Sequence, residues 1–174
     1  MKSNRMRAIA VVALIAVVGL LITVAVVVVD RLNDDVVDDP TAVELMWRQD
    51  DQEQTILPYR VCDLFEEDAC ETFEDNTLHV NLELEDTAEL HVGEASRYTW
   101  VLSRFYADDA LNVSDRNNPG QSVSETIAGS TSVNGERTAL GVVEVSTTVV
   151  GKNAADEETT YGITWSIVND AAGE

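Results

Sequence analysis

The chain predicts an all-β fold, an immunoglobulin-like antiparallel sandwich preceded by one N-terminal transmembrane α-helix. Three observations carry that expectation. An apolar run without a single charge, Ala8 to Val29, lies near the start of the sequence. Beyond it, apolar residues recur with a period of two and not 3.6, the mark of strands that are wet on one face. Turn-forming stretches such as Asn134-Gly135 and Gly151 to Asp156 separate those segments.

Charge sets the frame for the rest. The 174 residues carry 11 Lys+Arg against 32 Asp+Glu, a net charge of −21. Three of the cations, Lys2, Arg5 and Arg7, precede the apolar run, and the first acid is Asp30. Residues 30–174 therefore hold 32 acids against 8 bases, a net charge of −24. Such a field repels phosphate backbones and excludes a general nucleic-acid binder. At roughly 100–200 residues per domain, one globular unit follows the helix.

Residues 1–7 read as a cytoplasmic basic tail and 8–29 as the transmembrane helix. Twenty-two residues at 1.5 Å rise span about 33 Å, enough for a bilayer core of about 30 Å. Flanking cations hold their side of a helix in the cytoplasm, so the amino terminus is inside and the rest outside. A cleaved signal peptide has a shorter apolar region and small residues at the cut, whereas this run ends in Val26-Val27-Val28-Val29. An uncleaved signal-anchor is the better reading. A prepilin-type leader cut between Arg7 and Ala8 is the alternative, although no acid stands near the start of the mature chain it would leave. Residues 30–41 then form an acidic stalk, extended by self-repulsion.

The β-sandwich domain is expected over 42–174. Leu78, Val80, Leu82 and Leu84 share one parity, with Leu90 and Val92 continuing after Glu85-Asp86. Val143, Val145, Thr147 and Val149 form one strand, and Tyr161, Ile163, Trp165 and Ile167 its hairpin partner. Asn134-Gly135 joins a further strand pair. Ser96 to Tyr106 reads as a central strand, and Val43–Arg48, Thr55–Val61 and Ser122–Ile127 as weaker ones. About eight short strands fit an immunoglobulin-like sandwich with Trp100 and Trp165 in its core.

Cys62 and Cys70 lie outside the membrane in this topology, where thiols pair. A disulfide is the expected reading, because a metal site would need two more soft ligands and redox chemistry favours Cys-x-x-Cys. His79 and His91 read as surface histidines on the polar parity of strands, with a metal site or pH sensor as the alternative. Asn112-Val113-Ser114 is a glycosylation sequon in a turn-like stretch, followed by an apparent turn cluster from Asp115 to Gly120. Catalysis has little to build on: there is no nucleophile elbow, no Ser-x-x-Lys and no phosphate loop, so neither an enzyme nor a bound cofactor is expected. Arg60, Arg97 and Arg104 are conspicuous cations in an anionic domain and form the candidate binding surface. Structural ion pairs with neighbouring carboxylates are the plainer account of each.

Pro58-Tyr59-Arg60-Val61-Cys62 with Cys70, the run Tyr98 to Tyr106 and the closing Gly162-Ile163-Thr164-Trp165-Ser166-Ile167 resemble an uncharacterised actinobacterial family. That family is a domain of unknown function, with single-pass envelope proteins carrying a two-cysteine extracytoplasmic β domain. The resemblance implies an anchored extracytoplasmic module and supplies no catalytic residues. The expectation is thus a non-catalytic envelope protein that binds or scaffolds, held to the cell membrane by its helix and partnered by another envelope protein. A pilin-like subunit assembling through the helix is the alternative, and a hydrolase or metalloenzyme is the least favoured.

Overall fold

A computed structural model describes residues 36–66 and 69–173. The expected basic tail and transmembrane helix lie outside the described residues. Among those described, no helix is long and apolar enough to cross a membrane. A compact unit covers Val37–Glu174. Its described part is all-β, with short 3₁₀ turns and no α-helix.

The strands are β1 (Val36–Val37), β2 (Leu45–Gln49), β3 (Gln52–Ile56), β4 (Arg60–Asp63), β5 (Cys70–Thr72), β6 (Leu78–Val80) and β7 (Thr87–His91). They continue with β8 (Trp100–Tyr106), β9 (Val113–Asn117), β10 (Ser124–Ala128), β11 (Ser130–Val133), β12 (Glu136–Lys152) and β13 (Glu158–Asn169). Two sheets result. The smaller runs β10-β7-β2-β3, and the larger runs β5-β4-β13-β12-β8-β9. All of these neighbours are antiparallel; β6 lies parallel beside the end of β13. The inner faces make a β-sandwich with one core, in which Trp47, Trp100 and Trp165 are all at most 1% exposed.

Local chemistry accounts for the turns. Asn134 and Gly135 both adopt positive φ, 53° and 87°, and Val133 pairs with Glu136 across them. This is the two-residue hairpin geometry that the dipeptide favours. Lys152 pairs with Glu158 at the mouth of the second hairpin, whose Asn153 side chain accepts from the backbone N–H groups of Ala155 and Glu157. On β12 the expected parity holds: Val143, Val145, Thr147 and Val149 are buried, and Ile163, Trp165 and Ile167 face them from β13.

A β-bulge explains where parity breaks. Leu140 pairs with Tyr106 and Val142 with Phe105, leaving Gly141 as the extra residue on β12. Leu140 and Val143 are therefore both buried at a spacing of three. At Gly129 the backbone passes close against that of Glu83. A Cβ there would stand 1.9 Å from the carbonyl oxygen of Glu83.

Several expected strands differ in detail. Thr55–Val61 is two strands, because Leu57-Pro58 interrupts it and sends β3 and β4 to different sheets. Proline has no N–H to give a ladder, so the break falls there. The first residues of Ser96 to Tyr106 belong to a 3₁₀ turn, Gly93–Arg97, and the strand begins at Trp100. Leu78 to Leu84 shortens to β6, although Val80 and Leu82 stay buried on the expected parity. Asp115 to Asn117, read as a turn, lies within β9. In the expected stalk, Asp39 caps a 3₁₀ turn whose Pro40 is buried.

Candidate functional site

The outward face of the larger sheet carries the candidate site. Since Val145, Ile163 and Trp165 point inward, the alternating residues Ser146, Gly162 and Thr164 must face out. Register aligns them across five strands. Arg60 on β4 pairs with Thr164 on β13, Thr164 with Ser146 on β12, Ser146 with Val101 on β8, and Val101 with Arg116 on β9. The row begins and ends on arginine, with a floor of small and hydroxyl-bearing residues between. Neighbouring strands lie about 4.8 Å apart, so four intervals separate the two backbones by about 19 Å.

These residues line a groove of about 880 Å³ that also takes in Thr148, Arg97, Tyr98 and Pro119. The disulfide loop forms part of its wall. Gly162 lacks a side chain where Leu64 crosses, and a Cβ there would meet Leu64 Cδ2 at 3.2 Å. Cys62 and Cys70 are joined as expected, and they pair directly across β4 and β5. The Arg60 guanidinium donates to Cys70 Sγ at 3.3 Å, which anchors that side chain at the groove's rim.

Three of the eight bases in residues 30–174 thus meet in one groove of a strongly acidic domain. Arg97 also pairs with Glu94 at 3.8 Å. Among the described residues, no carboxylate lies within ion-pair distance of Arg60 or Arg116. The other bases among the described residues are matched: Arg48 with Glu53 and Glu89, Arg104 with Asp115, Arg137 with Glu85, and Lys152 with Asp156. Hydrogen bonding to Glu53 and Asp156 raises the pKa of Arg48 and Lys152 above their ordinary values.

Arg104 does not join the groove. Its register partner is Val143, so it shares the inward parity, and its side chain is 21% exposed. It pairs with Asp115 at 3.1 Å, while its buried Nε has no partner. Arg116 replaces it in the groove. Sequence reasoning assigned Arg116 to a turn, and the signal that could have placed it was alternation of Val113, Asp115 and Asn117 with Ser114 and Arg116.

The histidines are not brought together. His79 sits on β6, its Nδ1 3.0 Å from Asp170 Oδ1, whereas His91 sits on β7 in the other sheet. Among the described residues no group of three His, Cys, Asp or Glu is arranged to hold a metal ion. Asn112 is exposed just before β9, its Oδ1 accepting from the Tyr106 backbone N–H at 2.8 Å.

A family model described as protein of unknown function (DUF2771) matches residues 38–170. The chain belongs to the DUF2771 family. The matched span contains both cysteines and every arginine of the groove, so the site lies within the DUF2771 domain itself. No curated protein and no solved structure matches the chain. Membership agrees with the expected domain of unknown function and brings no reaction with it.

Proposed function

We propose that this DUF2771 protein is a membrane-anchored extracytoplasmic binding module of the cell envelope, without catalytic activity of its own. The groove that gathers Arg60, Arg97 and Arg116 on one sheet face carries the proposal. In a domain with so few bases, their collection on one face is best accounted for by a ligand. The compartment is supported by the Cys62–Cys70 disulfide, a bond that persists in oxidising surroundings. The anchor is supported by the basic, then apolar, then acidic order of residues 2–39.

The scaffold reads as immunoglobulin-like by connectivity. β2, β7 and β10 stand in the order of strands A, B and E, while β9, β8, β12 and β13 follow C′, C, F and G. Trp100, fully buried on the C-like strand, is a further point of likeness. The disulfide departs from the antibody pattern, because it joins two strands of one sheet and not the two sheets.

Protease treatment of intact cells tests the topology. Loss of the domain at the cell surface, with an intact Lys2–Arg7 segment by mass spectrometry, is the expected result. A domain protected until lysis would overturn the reading, and a mature chain starting at Ala8 would replace it with the pilin-like one.

A further inference from the structure

We infer that the groove binds an elongated anionic saccharide or polyol polymer, a chain of hydroxyl-bearing units with carboxylate or phosphate groups at intervals. The inference rests on reading this face as the binding surface and names its ligand class. Four features argue for it.

The first is charge. Arg60 and Arg116 end a single cross-strand row, and Arg97 stands beside them. Guanidinium groups offer planar, bidentate donors to carboxylate and phosphate oxygens. The net charge of −24 repels anions at long range, but at physiological salt the Debye length is about 8 Å. Contact with the arginines then outweighs the distant carboxylates.

The second is the floor. Thr164, Ser146 and Thr148 supply hydroxyls that both donate and accept, the capacity needed to exchange hydrogen bonds with sugar or polyol hydroxyls. Tyr98 adds an aromatic group to the same groove. The third is shape. The backbones at the two ends of the arginine row lie about 19 Å apart, a length that an extended chain can follow from one arginine to the other.

The fourth feature weighs against an acidic peptide. Extended peptides bind sheets by adding a strand to an open edge, where backbone N–H and C=O groups are available. Here the groove crosses the face of β4, β13, β12, β8 and β9; of these only β9, at the far end, is an edge strand, and the floor between is laddered on both sides. Side-chain hydroxyls and arginines are what the face presents.

The test is calorimetry on the full chain in detergent micelles at 0.15 M salt. The probes are oligogalacturonate for carboxylate, poly(glycerol phosphate) for phosphate, and dextran of similar length as the neutral reference. Binding of at least one anionic probe, and not of dextran, is expected. Arg60→Ala with Arg116→Ala together should weaken it at least tenfold, and Arg48→Ala with Arg137→Ala should leave it unchanged. The stronger of the two anionic probes identifies the group. Equal binding of dextran, equal binding of a single-stranded DNA oligomer of matched charge, insensitivity to the Arg60/Arg116 pair, or no binding at millimolar probe would overturn the inference. The topology experiment above is independent of these outcomes, so a failed ligand class and a failed envelope assignment are told apart.

Discussion

Asn169 holds Leu82 by both of its backbone groups. Leu82 N donates to Asn169 Oδ1 at 2.8 Å, and Asn169 Nδ2 donates to Leu82 O at 2.9 Å. The same amide nitrogen donates to Leu140 O at 2.8 Å. Asn169 is 5% exposed, so water does not compete. β6 ends at Val80, opposite Asn169 in register, and this one side chain carries the chain onward where the ladder stops.

Asn169→Leu keeps most of the volume and leaves three buried backbone groups without that partner. Each costs about 1–3 kcal/mol, and we expect about 3–5 kcal/mol from urea unfolding. A loss below 1 kcal/mol would show that water or a shifted backbone replaces the amide. Asn169→Asp adds a pH signature. Burial favours the neutral acid, so its folded pKa rises above the unfolded value of about 3.9. The folded variant then holds its proton more tightly than the unfolded chain. Relative to the parent, its stability falls as pH rises above about 4.

Much of this architecture is legible from residue order alone, and the exceptions have physical causes. The hairpin at Asn134-Gly135 and the β12–β13 pair follow from turn chemistry and strict alternation, both local signals. The bulge at Gly141 is local too, but it shows only as a spacing of three between Leu140 and Val143. β9 was hidden because Ser114, Asp115, Arg116 and Asn117 are turn-prone residues, and an exposed edge strand needs no apolar stripe. Trp47 carries a weak core signal in the sequence, since its strand neighbours Arg48 and Gln49 are polar. The groove was half legible. Arg60 and Arg97 stand out by scarcity, yet their meeting with Arg116 depends on a register across five strands that no local pattern encodes.

The core tryptophans differ in what their indole N–H finds. Trp165 Nε1 donates to Val43 O at 3.0 Å, whereas Trp100 Nε1 is buried without a partner. Substitution by Phe removes similar volume at each site. At position 165 it also leaves the Val43 carbonyl unpaired; at position 100 it removes an unsatisfied donor. Trp165→Phe should therefore cost more than Trp100→Phe, by at least about 1 kcal/mol in thermal or urea unfolding. Equal losses would mean that packing alone sets the cost.

Tyr161 gives an alkaline signature. Burial, and then the nearby charges of Asp63 and Glu66, push its phenol above the ordinary value of 10.0. The unfolded chain thus loses this proton first as pH rises. Stability contributed by the neutral phenol is complete below pH 10 and declines as pH climbs toward the folded pKa. Denaturation midpoints of the parent and Tyr161→Phe, measured from pH 8 to 11, should show the steeper decline in the parent. Parallel curves would contradict the raised value.

Arg104 and Arg116 provide the sharpest separation of structure from function. Both come from the β8–β9 hairpin, where β8 residue Arg104 pairs with Asp115 from the inward parity and β9 residue Arg116 faces the groove. Arg104→Ala strips a partly buried side chain and leaves Asp115 without its counter-charge, so a loss of about 1–3 kcal/mol is expected. Binding of an anionic probe by the remaining folded protein should be unchanged. Arg116→Ala alters an exposed residue and should keep stability within about 0.5 kcal/mol. Its effect should appear in the affinity, as a loss of at least threefold for the probe that binds the parent. Chemical denaturation and calorimetry on the same two variants decide the matter. If Arg104→Ala weakens binding and Arg116→Ala does not, the binding surface lies on the other side of β8 and β9 and the groove is only a solvated sheet face.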